Sequence, residues 1–276
     1  MPPQVETEWL VGWAQRVGEQ ALPIFFAGLL LAVGCVIAFW WAWKRPQWQR
    51  WWRLQDSPQP LRQIGLRLMA GFVLIVLVSV LFAQLSHGIQ APGMLGHADQ
   101  ALTDALRANV PLAAVRFFAV LTHLGDTATL TGLTIVVALV LWAARQRVLA
   151  AGWVMAVAGN SLLNTVLKQV FARARPLQED SLWLVDGYSF PSGHSSGSLV
   201  AYGMLAYLSA RLLPVRWHLP TLLGATLLAC SVAASRIFLR VHFASDVLAG
   251  MASGAAWLAI CIVSIDTMRW WRSPRS

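Results

Sequence analysis

The chain reads as an all-α, polytopic bundle of membrane-spanning helices, and three observations carry that reading. Hydrophobic residues fill 57% of the 276 positions, charged residues only 12%, and the mean hydropathy is +0.58. A soluble domain carries about a quarter charged residues, so this chain lacks the polar surface that water requires. The apolar residues are also gathered in runs of about 18 or more, the length a helix needs to cross ~30 Å of hydrocarbon. Helices are the natural choice there because they satisfy their own backbone groups. Finally, the tryptophans gather at run ends, as in interfacial belts: Trp40, Trp41, Trp43, Trp48, Trp51 and Trp52 at one, Trp270 and Trp271 at another.

Seven spans follow in order: 21–43, 66–86, 127–144, 148–167, 194–212, 219–235 and 243–265. The first is expected to remain as an anchor. Its approach carries Glu6, Glu8 and Glu19 against Arg16, and it ends in bulky Trp-Ala-Trp-Lys-Arg-Pro, unlike a cleavable signal. Arg145-Gln146-Arg147 and the segment around Pro214-Val215-Arg216 are short enough to join antiparallel neighbours. Between residues 87 and 126, Leu102, Leu106, Val110 and Leu112 recur at helical spacing. They suggest either an amphipathic helix along the interface or a plain helical connector.

Charge sets the orientation. Thirteen of the 21 Lys and Arg residues fall on one side of these spans, among them Lys44, Arg45, Arg145, Arg147, Arg211, Arg216 and Arg269. That side is read as cytoplasmic, which puts the N-terminus outside and the C-terminus inside. The net charge of +9 does not indicate nucleic acid, because the basic residues lie between apolar runs and form no soluble basic face. Cys35, Cys230 and Cys261 all lie within apolar runs and read as small fillers, neither a disulfide framework nor a metal site.

Three polar clusters stand out. Lys168 is followed after six residues by Arg175-Pro176. Pro191-Ser192-Gly193-His194 comes next, and then Ser235-Arg236, five residues, His242, three residues, Asp246. Singly each is weak: a lysine at a span end ordinarily snorkels, and a His–Asp pair one turn apart is common. All three nevertheless fall at span ends on the same side, predicted to be the outer one. There Lys168, Arg175 and Arg236 would present fixed positive charge, the two arginines with bidentate geometry for phosphate oxygens. Ser192 offers a hydroxyl, and Gly193 allows close backbone approach at a helix start.

Together the clusters resemble the three-part signature of the type 2 phosphatidic acid phosphatase superfamily, over roughly residues 66–265. The resemblance implies a six-helix core within 64–276, with residues 1–63 adding an extra span and a basic, Trp-rich cytoplasmic loop. It implies a metal-independent, cofactor-free phosphatase acting on a lipid phosphate or diphosphate at the outer face of a bacterial inner membrane. Undecaprenyl diphosphate is the first choice of substrate; phosphatidylglycerophosphate, phosphatidate and transfer to a second lipid are the alternatives. His242 would be the nucleophile that becomes phosphohistidine, Asp246 its partner, and His194 the acid and base. Lys168, Arg175, Ser192, Gly193 and Arg236 would bind the phosphate, and the partners are membrane lipids.

The remaining polar residues get blander readings. Asn160 and Asn164, on one stripe with Lys168, either support the site from inside the bundle or, the favoured reading, are hydrogen-bond glue between helices, and Gly250 and Gly254 are a small-residue packing pair. Arg173 and Arg240 either touch a second phosphate or are solvated at the interface, and solvation is the favoured reading. His87, His97, His123 and His218 are loop or interface histidines, and Glu179, Asp180 and Asp186 a solvated surface.

Overall fold

A computed structural model of the chain describes residues 3–43, 80–86, 93–176 and 186–272, together with positions 69, 73, 76 and 77. Among the described residues the regular structure is helical. It comprises α1 (Pro3–Glu19), α2 (Ala21–Trp43), α3 (Met94–Asn109), α4 (Leu112–Thr122), α5 (Thr127–Ala143), α6 (Arg147–Phe171), α7 (Gly193–Leu212), α8 (His218–Phe238) and α9 (Ala244–Arg272). Short 3-10 turns, His123–Gly125 and Val215–Trp217, join α4 to α5 and α7 to α8. The expected span 66–86 and the Trp/Arg-rich loop before it fall largely outside the described residues.

Five stretches among the described residues are long and apolar enough to cross a bilayer: Ala21–Ala42, Leu112–Ala143, Arg147–Phe171, Val215–Phe238 and Ala244–Arg269. α7 does not qualify on composition, although a span was expected there. Its surroundings explain the difference. α7 packs against α5, α6, α8 and α9, and Ser195, Ser196, Ser198, Val200, Ala201, Met204 and Ser209 are buried along it. A helix ringed by other helices needs small residues for close approach more than it needs lipid-facing bulk.

The segment between residues 87 and 126 corrects the sequence reading. Val110 and Pro111 break it, so Leu102 and Leu106 lie on α3 while Leu112 begins α4. Proline fixes its own φ and biases the preceding residue toward extended backbone; Val110 accordingly sits at φ −85°, ψ 121°. α3 packs along α1. α4 enters a cluster in which Phe118 stacks on Phe238 with ring centroids 4.1 Å apart, and Phe25 of α2 meets both rings edge-on. The first span is thereby docked onto the bundle.

A second core runs through the other half. Trp153, Leu149 and Ala156 of α6 pack with Val200, Met204 and Leu208 of α7 and with Cys261 and Ile265 of α9. The indole N–H groups of buried Trp153 and half-buried Trp257 donate to the carbonyls of Thr134 and Ala156 at 3.0 and 2.8 Å, so neither ring enters the core with an orphaned donor.

Gly250 and Gly254 are packing residues, as their spacing suggested. A Cβ on Gly250 would sit 2.5 Å from the carbonyl oxygen of Ser192, and one on Gly254 would meet Ser196 Cα at 3.0 Å. Gly250→Ala should therefore push α9 off the start of α7. The expected cost is about 1–3 kcal/mol, read as a lowered thermal midpoint, whereas Ala at Gly224, where a Cβ meets nothing within 4 Å, should be tolerated. Equal midpoints for the two variants would contradict the close approach.

Candidate active site

The antiparallel order brings five segments to one end of the bundle. The C-terminus of α6 delivers Lys168, and the loop after it Arg173 and Arg175. The N-terminus of α7 delivers His194, the C-terminus of α8 Arg236, and the turn into α9 His242 and Asp246. At the opposite end lie Arg145, Arg216 and an Arg211–Asp266 ion pair of 2.6 Å, whose carboxylate also accepts from Tyr207. The three sequence clusters therefore share one boundary of the bundle.

Lys168 and Arg175 are held mainly by backbone carbonyls, which fix position without cancelling charge. Lys168 Nζ donates to Tyr188 O at 2.9 Å. Arg175 donates to Gly187 O from Nε (2.9 Å), to Tyr188 O from Nη2 (3.2 Å) and to Val241 O from Nη1 (2.7 Å). Arg236 is buried; its Nη1 donates to Thr122 Oγ1 at 2.7 Å, and its Nε has no partner among the described residues. A buried guanidinium with an unused donor keeps strong anion-binding capacity.

His242 is 3% exposed and Asp246 fully buried. Arg175 Nη1 lies 3.2 Å from His242 Nε2. Because a guanidinium can only donate, Nε2 is the acceptor and the ring proton belongs on Nδ1. Nδ1 faces Ser189 Oγ at 3.3 Å and Asp246 Oδ2 at 3.5 Å, and Ser189 donates its hydroxyl to that same carboxylate. The backbone N–H of Phe243 adds a bond to Oδ2 at 2.9 Å. Burial pushes the His242 imidazole down to about 3, against the opposing pull of Asp246, while Arg175 and Arg236 add to the depression. The ring is thus neutral near neutral pH, with a lone pair on the nitrogen that faces the cations.

His194 sits across the site with Nε2 2.8 Å from Asp126 Oδ1. The other oxygen of Asp126 meets His123 Nδ1 at 2.6 Å, on a ring that is 56% exposed. Ser192 caps α7, its hydroxyl accepting from Ser195 N (3.4 Å) and Ser195 Oγ (2.9 Å), while its own N–H donates to Asp246 O at 3.0 Å. Gly193 must be small, since a Cβ there would lie 2.9 Å from Asn164 Oδ1. Asn160 and Asn164 reach Ser196 Oγ at 3.3 and 3.5 Å, and Asn164 also reaches Pro191 O, tying α6 to α7 as glue. Among the described residues no three His, Cys, Asp or Glu side chains are gathered as a metal site.

One expectation is overturned. Arg173 is not solvated: Nη1 donates to Asp246 Oδ1 at 2.6 Å and to Ser245 Oγ at 2.7 Å, and Nη2 to Asp99 Oδ2 at 2.9 Å. Its guanidinium lies 4.4 Å from the centroid of the Phe243 ring. Sequence reasoning also missed Asp99, Thr122, Asp126 and Ser189. Asp99 did carry a signal, since it stands three and seven residues before Leu102 and Leu106 on one helical stripe. A carboxylate on a buried stripe demands a partner. Of the surface acids, Asp186 contributes its carbonyl to Arg175 Nη2 at 3.4 Å, and Glu179 and Asp180 lie outside the described residues.

Comparison with known proteins converges on one family. Residues 147–270 match the model of the PAP2 superfamily. The chain is 33% identical to phosphatidylglycerophosphatase B of Bacillus subtilis (strain 168) over 138 residues, which span 49% of this chain and 66% of that relative. Its fold is similar to the crystal structure of a transmembrane PAP2-type phosphatidylglycerolphosphate phosphatase from Bacillus subtilis. The TM-score is 0.65 with 26% identity, covering 73% of this chain and 98% of the other.

Proposed function

We propose, on the premise that this integral membrane protein belongs to the PAP2 superfamily, that it is a lipid phosphatase working through a phosphohistidine on His242. The observation that carries the reading is the gathering of Lys168, Arg175 and Arg236 at the end of the bundle that holds His242, with Arg175 Nη1 3.2 Å from its acceptor nitrogen and Asp246 behind the ring. The groups lie close enough to act on one another electrostatically: Arg175 and Arg236 on His242, and Arg236 and Lys168 on His194.

The chemistry follows from that arrangement. A phosphoryl group in transfer spreads negative charge over its equatorial oxygens, so fixed cations stabilise it more than they stabilise the free ester. Phosphate oxygens replace His242 as the acceptor for Arg175 Nη1, which frees Nε2. Nε2 then bonds to phosphorus as the bond to the lipid oxygen breaks, and that oxygen takes a proton from His194, whose ring binds the proton when the phosphate anion offsets the neighbouring cations, with Asp126 2.8 Å from its Nε2. The ring turns cationic, and Asp246 stabilises it through Nδ1 and Ser189. Water next attacks phosphorus, His194 takes its proton, the P–N bond breaks and inorganic phosphate leaves. Ser192 and Gly193 supply the helix start that faces the anion.

The substrate we favour is phosphatidylglycerophosphate, the lipid for which both relatives are named; undecaprenyl diphosphate, the first choice from sequence, has no such support. The site is read as facing the outer surface, because Arg145, Arg147, Arg211, Arg216 and Arg269 gather at the other end of the helices. Purified protein, in detergent with a chelator, should release phosphate from phosphatidylglycerophosphate with kcat/KM at least about tenfold above phosphatidate and undecaprenyl diphosphate, roughly 1.4 kcal/mol of transition-state preference. A higher value for undecaprenyl diphosphate would reverse the substrate assignment, and silence in chelator would remove the metal-free mechanism.

A further inference from the structure

Arg173 lies inside the first sequence cluster without being one of its motif residues, and its partner Asp99 lies outside both the clusters and the family-matched segment. Asp99 belongs to α3, 48 residues before that segment begins at residue 147. Its carboxylate accepts from Arg173 Nη2, from the Ser245 hydroxyl and from Ser245 N at 3.2 Å. Arg173 Nη1 bonds Asp246 Oδ1, which leaves Oδ2 for Ser189, Phe243 N–H and His242. The guanidinium therefore divides its fork between two carboxylates on different helices, 4% and 0% exposed on their side chains.

We infer that Arg173 and Asp99 are positioning residues for the reaction: Arg173 holds Asp246 in the orientation that fixes the His242 ring, and Asp99 holds Arg173. This rests on the phosphatase reading above. A fully buried carboxylate is costly unless paired and hydrogen-bonded. Arg173 provides that pairing on the side of Asp246 turned away from the histidine, so the carboxylate is anchored without losing the oxygen that His242 uses. Two Nη groups in one plane can bridge both carboxylates, whereas the single ammonium of lysine cannot hold the same fork. Asp99 in turn sits at a helix–helix contact, so α3 becomes part of the active site. A plain staple between α3 and α9 would hold the same residues together and leave the imidazole unaffected.

The test compares Arg173→Gln, Arg173→Lys, Asp99→Asn and the double variant Asp99→Asn/Arg173→Gln, all as folded, monodisperse full-length protein. Two quantities are read: kcat and KM for phosphate release, and the ¹⁵N shifts of the His242 ring in histidine-labelled protein, assigned by their loss in His242→Gln. Arg173→Gln should lower kcat about 10²-fold, the scale of a small misplacement of a reacting group, with KM within about threefold. Its His242 spectrum should show a second tautomer. Arg173→Lys should fall between this and the parent. The double variant should be more active than Arg173→Gln alone, because the unpaired Asp99 carboxylate is then gone as well.

A His242 spectrum unchanged in Arg173→Gln would overturn the inference, and strictly additive single effects would remove Asp99 from it. If Arg173→Gln does not fold, Arg173→Lys and Asp99→Asn carry the same two readouts. A parent protein that hydrolyses no lipid phosphate defeats the phosphatase reading instead, and the ring spectra still decide whether Arg173 fixes His242.

Discussion

His242→Ala should lower kcat for phosphate release by about 10⁴-fold or more, equivalent to at least roughly 5.5 kcal/mol of lost transition-state stabilisation. No neighbouring group can substitute for it. The described groups of the site are the cations proposed to hold the phosphate, a serine already donating to Asp246, and His194, whose Nε2 is engaged with Asp126 at 2.8 Å. Lys168, the one amine among them, is bonded to Tyr188 O at 2.9 Å. Because the ring is buried, alanine also leaves a cavity, which by itself costs about 2–4 kcal/mol of stability. His242→Gln fills more of that space and separates the two effects. It should fold with a thermal midpoint near the parent's and still form no acid-labile phosphoenzyme from labelled substrate. Retention of phosphate release within tenfold of the parent in either variant would refute the nucleophile assignment.

The sequence exposed those parts of the site whose geometry is local. His242 and Asp246 stand one helical turn apart, and Ser192 to His194 form the start of α7, so short spacing carries them directly. The ends of the apolar runs located Lys168 and Arg236, because charge leaves the hydrocarbon at the first opportunity. Residues joined by long-range contacts were hidden. Arg173 and Asp99 are 74 positions apart and Arg236 and Thr122 are 114 apart, and no periodicity links such pairs. Arg173 looked solvated because it follows a helix end and neighbours a motif arginine. Its burial depends on α3, whose own position is set by packing on α1. The break at Val110-Pro111 was readable from proline chemistry, but the hydrophobic stripe running across it pointed the other way, and backbone sterics prevailed.

Asp246→Asn should lower kcat by about 10⁴-fold, the order seen when the carboxylate behind a catalytic imidazole becomes an amide, and the local hydrogen bonds say why no rotation of the amide can rescue it. Both oxygens of Asp246 accept only from donors: Oδ1 from the Arg173 guanidinium at 2.6 Å, and Oδ2 from Ser189, Phe243 N–H and His242. An asparagine must turn its NH₂ toward one of these sets. Facing Arg173 it opposes a fixed cation and leaves that charge to Asp99 alone. Facing the other side it opposes the Phe243 N–H, which cannot rotate away, and drives the His242 ring toward the tautomer with its proton on Nε2. That proton would block attack on phosphorus, and Arg175 Nη1, 3.2 Å away, would then face another donor. The residues proposed to bind the phosphate, Lys168, Arg175 and Arg236, do not touch the substituted carboxylate, so KM should stay within about threefold while kcat collapses. A thermal midpoint lowered by the loss of a buried ion pair, a cost of about 3–5 kcal/mol, should accompany it. Steady-state kinetics on folded Asp246→Asn decide the matter: a raised KM with kcat preserved would mean that Asp246 shapes the binding pocket and does not assist the histidine.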